Sequence, residues 1–264
     1  MDLGVQEKTA LVTGSTAGIG LAIASRLAAE GATVIINGRS QARVDAAIEH
    51  LRKTTPNAKL RGFAADLATA AGVAALVAQE PEVDILVNNL GIFEPKAFED
   101  IPDEDWFRFF ETNVMSGVRL SRHYLPGMKQ CNWGRIVFIA SESAANIPVE
   151  MVHYGMTKTA QVAVARGLAE STAGTGVTVN SVLPGPTRSE GVATFFDKLA
   201  AANNISPADM EAEFFRSGRP SSLLKRFTEP AEIANMVAYV CSTAASATNG
   251  AALRAEGGIV RSLF

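Results

Sequence analysis

The chain has 264 residues, 47% hydrophobic and 19% charged, with a formal net charge of −3. That length suits one α/β domain with a sizeable core, and no basic run exceeds two residues, which excludes the footprint of a nucleic-acid binder. Two distant cysteines, Cys131 and Cys241, without C-x-x-C or His/Cys clusters, imply free thiols and no metal; with no leader-like N-terminus and no apolar run of about 18 residues, a cytoplasmic protein outside the membrane is expected.

Strand-like and helix-like stretches then alternate. The expected strands are 9–13 (TALVT), 33–37 (TVIIN), 59–66 (KLRGFAAD), 84–89 (DILVNN), 135–140 (RIVFIA) and 176–185 (GVTVNSVLPG). The expected helices are 19–31, 41–53, about 69–79, one long and bent helix from Asp103 to about Met128, 154–172, and 230–242, with proline in its first turn. Continuous Val/Ile/Leu strands alternating with amphipathic helices predict a parallel sheet covered on both faces. Residues 186–228 break the pattern, yet carry Phe195, Phe196, Phe214 and Phe215. A polar linker would not, so this segment reads as a helical lobe, its phenylalanines and Met210 either covering a substrate or packing the lobe onto the sheet.

The first strand runs into VTGSTAGIG (12–20) and then a helix. Gly14, Gly18 and Gly20 form a G-x-x-x-G-x-G turn. Such glycines let the backbone approach a pyrophosphate, and the helix N-terminus supplies N–H groups and a positive dipole end. After the second strand comes Asn37-Gly38-Arg39-Ser40, with no carboxylate to hold two ribose hydroxyls. Arg39 is a fork-shaped donor suited to a 2′-phosphate, and Ser40 adds a hydroxyl. Asp66 could contact an adenine edge or cap the next helix.

Tyr154 and Lys158 share one helix face in HYGMTKTAQ (153–161). An ammonium beside a phenol favours phenolate, which predicts a tyrosine pKa below about 10 and a group able to exchange a proton near neutrality. Ser141 follows a buried strand, where open parallel sheets place ligands; Ser143 competes for the same role. Asn113 in the long helix is either a satisfied core amide or part of a proton relay. Glu150, Met151 and His153 precede the tyrosine and are candidates to line a pocket, with His153 read as structural or solvent-facing. Arg188, Arg216 and Arg219 could attract an anionic substrate but read better as lobe surface.

TGSTAGIG (13–20), Asp66, NNLG (88–91), Asn113, Ser141, YGMTK (154–158), PGPT (184–187) and EGG (256–258), in this order, resemble the short-chain dehydrogenase/reductase family nearly end to end. The resemblance implies a single Rossmann-type domain over 1–264, a doubly wound parallel sheet of seven strands with helices on both faces, and a substrate-covering lobe at 186–228. It implies a catalytic set of Asn113, Ser141, Tyr154 and Lys158: Tyr154 as general acid/base, Lys158 on the nicotinamide ribose, Ser141 on the carbonyl oxygen, and Asn113 holding a water. It implies a cofactor site of Gly14, Ser15, Thr16, Gly18, Ile19, Gly20, Arg39, Ser40, Asp66, Leu67, Asn89, Gly91, Tyr154, Lys158, Pro184, Gly185 and Thr187, with Asn88 in support. Leu90, Glu256 and Ala17 depart from the family pattern, Ala17 where many NADP-preferring members carry a basic residue. The expected activity is NADP(H)-dependent reduction of a ketone or aldehyde, reversible, with NAD(H) possible. The alternatives are an NAD-linked secondary-alcohol dehydrogenase and a nucleotide-binding protein without turnover. The expected assembly is a homotetramer, with a dimer as the fallback.

Overall fold

The computed structural model describes residues 2–263. Seven parallel strands form one sheet in the order β3-β2-β1-β4-β5-β6-β7: β1 Thr9–Val12, β2 Thr33–Gly38, β3 Lys59–Ala64, β4 Ile85–Asn88, β5 Gly134–Ile139, β6 Val177–Pro184 and β7 Ala252–Ala255. Side chains along a strand alternate between faces. Ala10, Val12, Val34, Ile36, Ile85 and Val87 therefore pack on one face, while Leu11, Ile35, Leu86, Ile136 and Phe138 pack on the other. The first face is covered by α1 (Gly18–Ala29), α2 (Gln41–Thr54) and α9 (Pro230–Val240). The second is covered by α3 (Ala70–Gln79), α5 (Ser116–Gln130) and α6 (Val152–Glu170).

Helix ends follow local chemistry. Thr69 caps α3 by accepting from the Gly72 N–H, and Glu229 and Glu232 form a reciprocal capping box ahead of α9, whose first residue is Pro230. The long helix expected from Asp103 is interrupted. It consists of α4 (Asp103–Phe110), a π-helical turn over Glu111–Met115, and α5. The lobe forms α7 (Glu190–Ala202), α8 (Pro207–Glu213) and a second π turn over Phe214–Gly218. Among the described residues, no helix is long and apolar enough to cross a membrane.

Sheet order reverses between β1, which leads on to β2, and β4. In such sheets the ligand crevice lies at that switch point, beyond the carboxyl ends of the strands.

Candidate active site

The glycine turn sits at this crevice. Gly14 and Gly18 have φ of +61° and +56°, a left-handed conformation that L side chains rarely adopt. A Cβ at Gly20 would come within 2.5 Å of both the Asn89 Nδ2 and the Gly14 carbonyl oxygen. The turn is braced from beneath: Asn37 Oδ1 accepts from the Gly14 N–H, and Asn89 Nδ2 donates to the carbonyls of Thr13 and Gly14. The donors of Ser15 are also committed, its N–H to the Asn37 carbonyl and its hydroxyl to the Val12 carbonyl, so Ser15 supports the turn. Ala17 gives α1 no side-chain cap. First-turn N–H groups have no intrahelical acceptor, so this helix end is open to an anion.

Arg39 and Ser40 are exposed just beyond β2, and among the described residues no ion pair engages the Arg39 guanidinium. Thr16 lies against Gly38, where a Cβ would meet its Cγ2 at 2.5 Å. Asp66 is exposed and accepts from the Ala68 N–H; the cap of α3 is Thr69, which corrects the expectation that Asp66 could serve there. The Leu67 side chain is buried in the core.

A pocket of about 610 Å³ opens beside this turn. Its floor includes Ile19, Asn89, Gly91, Ser141, Tyr154 and Lys158; Pro184, Gly185 and Thr187 form one wall. Gly185 packs so closely that a Cβ would reach the Glu256 carbonyl oxygen at 2.6 Å, and Thr187 Oγ1 donates to the Gly185 carbonyl. The lobe roofs the pocket with Phe195, Phe196, Met210, Phe214 and Phe227. Phe214 and Phe227 stack with centroids 5.5 Å apart and an interplanar angle of 12°, while Phe215 is buried and packs the lobe. Phe195, Phe196, Phe214 and Phe227 line the pocket, and Phe215 packs on Phe214 and Phe227 within the lobe.

Lys158 Nζ donates to the Ile139 carbonyl at 2.9 Å and lies 5.6 Å from the Tyr154 ring centroid. Burial pushes the Lys158 amine down to about 7 and the Tyr154 phenol up to about 12. The Ser141 hydroxyl pulls the phenol back, and the nearby Glu142 carboxylate raises it further. The expected lowering of the phenol is thus reversed in direction. A lysine that burial holds near neutrality is a weak source of positive charge, and desolvation outweighs it.

Asn113 lies in the π turn, fully buried. Its amide donates to the Ile92 carbonyl and Thr157 Oγ1, and its Oδ1 accepts from the Ile92 N–H, fastening the chain after β4 beside Lys158. Its main-chain carbonyl accepts from Gln161 Nε2 at 2.6 Å, a contact that sequence reasoning missed. Gln161 lies three residues after Lys158 in α6, and a polar residue so close to a candidate site was the available signal. Asn88, buried, donates to Ser121 Oγ.

His153 does not line the pocket. Its ring is fully buried against Phe109, with centroids 4.0 Å apart, and burial lowers its pKa. Glu150 and Met151 do line it. The three lobe arginines are all engaged: Arg188 with Glu211 and Glu229, Arg216 with Glu213, Arg219 with Glu142 and Glu150. Arg219, expected on the lobe surface, is instead buried in the pocket wall. Glu142 was the larger omission, and its signal was a carboxylate between two serines in SES (141–143). Glu256 accepts from the Ile259 and Val260 N–H groups and so closes the turn after β7. Among the described residues, no group of three or more His, Cys, Asp or Glu could hold a metal ion.

A doubly wound parallel sheet with an open glycine turn, a Tyr–Lys pair and a serine at its carboxyl edge defines an α/β oxidoreductase. The chain belongs to the short chain dehydrogenase family, whose profile matches residues 8–200. It is 53% identical to the uncharacterized oxidoreductase YvaG of Bacillus subtilis over the full length of both chains. It is 35% identical to the D-beta-hydroxybutyrate dehydrogenase of Cupriavidus necator, covering 96% of this chain and 98% of that protein. The L-sorbose reductase of Gluconobacter frateurii, solved with NADPH and L-sorbose, superposes over 100% of both chains with a TM-score of 0.92 and 31% identity.

Proposed function

We propose that the chain is an NADP(H)-dependent carbonyl reductase, reversible as an alcohol dehydrogenase. The observation that carries it is the meeting of Tyr154, Ser141 and Lys158 on the floor of an apolar-roofed pocket beside an uncapped helix N-terminus. The site fits a nicotinamide dinucleotide. The α1 N-terminus and glycine turn would hold the pyrophosphate, a cradle that a Cβ at Gly20 would fill. Arg39 and Ser40, free beyond β2 where no carboxylate stands, would hold a 2′-phosphate, which favours NADP(H) over NAD(H). The NADPH bound to the sorbose reductase agrees with that preference. Gly91, Asn89, Pro184, Gly185 and Thr187 would enclose the nicotinamide end, and Lys158 its ribose.

When bound, the nicotinamide supplies or accepts the hydride. Everything else falls to this chain. Tyr154, kept protonated by burial, would give its proton to the oxygen of a substrate carbonyl. Ser141 orients that oxygen. Asn113 fixes the loop beside Lys158, and the lobe excludes water. In the reverse direction Tyr154 takes the alcohol proton.

Fluorescence titration with NADPH and NADH tests the reading, followed by Tyr154→Phe. NADPH binding at least about tenfold tighter than NADH, lost in Arg39→Ala, is expected; a difference of about 1.4 kcal/mol gives that factor. Tyr154→Phe should keep cofactor binding and lose about 10² to 10⁴ in kcat. Equal NADH binding points instead to an NAD-linked alcohol dehydrogenase, and undiminished turnover in the variant removes Tyr154 as proton donor.

A further inference from the structure

Arg219 is the lobe's one cation in the pocket lining; the other lining cation is Lys158. An arginine over a substrate site ordinarily reads as an anion receptor. Here two carboxylates already hold it, through Nε and Nη1. Its Nε donates to Glu142 Oε1 at 3.1 Å, and its Nη1 to Glu150 Oε1 at 3.3 Å and to the Gly218 carbonyl at 2.8 Å. The Arg219 and Glu142 side chains are only 10% and 4% exposed, so this pair is shielded from solvent. Glu142 is committed as well: its Oε2 accepts from Ser141 Oγ at 2.7 Å and from Ser143 Oγ at 2.5 Å. Glu150 is 46% exposed and faces the pocket, and Glu213 on the same lining pairs with Arg216.

Two carboxylates on one guanidinium leave the polar end of the pocket with excess negative charge. An incoming carboxylate can displace Glu142, which leaves a buried charge unpaired, or approach the remaining Nη2 edge beside Glu150 and meet like charge at short range. Neither cost falls on an uncharged substrate. The remaining wall is aromatic, so an apolar body gains burial while a hydrogen-bond donor at its far end gains the free oxygen of Glu150.

Resting on the carbonyl-reductase reading, we propose that the site selects uncharged ketones with an apolar or aromatic body and rejects carboxylates, with Glu150 and Glu142 setting the discrimination through their hold on Arg219. This separates the chain from a relative named for a hydroxy-acid substrate.

The test uses 4-acetylbenzamide and 4-acetylbenzoate, which match in shape and ketone position and differ in charge. With saturating NADPH, the amide is expected to show kcat/KM at least about tenfold above the acid, a difference of about 1.4 kcal/mol carried mainly by KM. Glu150→Gln narrows that gap at least about threefold, through a lower KM for the acid. An acid used as well as the amide, or a gap indifferent to Glu150→Gln, overturns the proposal. If neither is turned over, the reductase reading fails on its own, and saturation-transfer NMR with NADPH present decides the charge question. Amide preferred over acid sustains the discrimination; no preference, or no binding of either, ends it.

Discussion

Lys158 places an amine where water is nearly absent, 4% exposed, with the Ile139 carbonyl as its recorded acceptor. Its folded pKa of about 7 lies well below the ordinary 10.5. Between those values the unfolded chain keeps the proton and the folded chain does not. The folded state therefore gains relative stability as pH rises from 7 to 10.5, and below 7 it carries the full cost of a buried ammonium. Lys158→Met keeps the packing and removes the titration. Its melting temperature is expected to exceed that of the wild type most at pH 6 to 7, with the advantage shrinking toward pH 10, while turnover is lost. A gap that stays constant with pH would place the amine's charge in solvent instead. Such a result would restore the simple sequence argument that an ammonium lowers the Tyr154 phenol. That argument used spacing, and i,i+4 spacing was visible; burial of both groups together was not, and burial decides the sign.

The element that binds and the element that supports are coupled at Gly20. Asn89, one residue past β4, holds the glycine turn after β1 by donating to Thr13 and Gly14, and its Nδ2 fills the space that a Cβ at Gly20 would need. Gly20→Ala is therefore expected to weaken nucleotide binding by at least about tenfold and to lower stability by about 1–3 kcal/mol, the cost of forcing one methyl group into a filled site. Fluorescence titration and a denaturation curve check both; full binding in the variant would show that the turn yields. This turn was legible because glycine needs no tertiary context to signal a left-handed backbone. Strands β1, β2, β4, β5 and β6 were legible because burial on both faces demands continuous apolar runs. Strand β7 was not, since Ala-Leu-Arg-Ala carries no β-branched residue, and only the family resemblance supplied a seventh strand. The break in the long helix was expected only as a bend. Its π turn exists to bring Asn113 inward, where Ile92, Thr157 and Gln161 hold it, and three partners from two other segments are invisible to periodicity. His153, read as structural or solvent-facing, is structural, and the Phe109 ring that packs against it lies 44 residues earlier, out of reach of helical position.

On the scale of the molecule, apolar surface is distributed unevenly. Phe107 on α4 is 72% exposed, and Phe110, three residues on and so on the same face, is 38% exposed. Both precede the π turn that carries Asn113, so whatever covers this face also steadies the site. Isolated exposed hydrophobics are ordinary, but paired phenylalanines on one helix form a surface that association would bury, at about 1.5–3 kcal/mol for each ring. A homotetramer, which the family resemblance implies, would supply such a cover through the long helix that α4 and α5 make up. Light scattering is expected to give a particle of four 27.8 kDa chains. Phe107→Asp puts a carboxylate into that face while leaving the core of the chain untouched, because most of the side chain stands in solvent. The variant is expected to scatter as dimers or monomers, with an unchanged far-ultraviolet circular dichroism spectrum and reduced kcat. Reduced kcat in a particle still of four chains would mean that Phe107 acts on the site through α4 alone. A monomeric wild type at micromolar concentration would refute the assembly outright, and the exposed rings would then be plain surface.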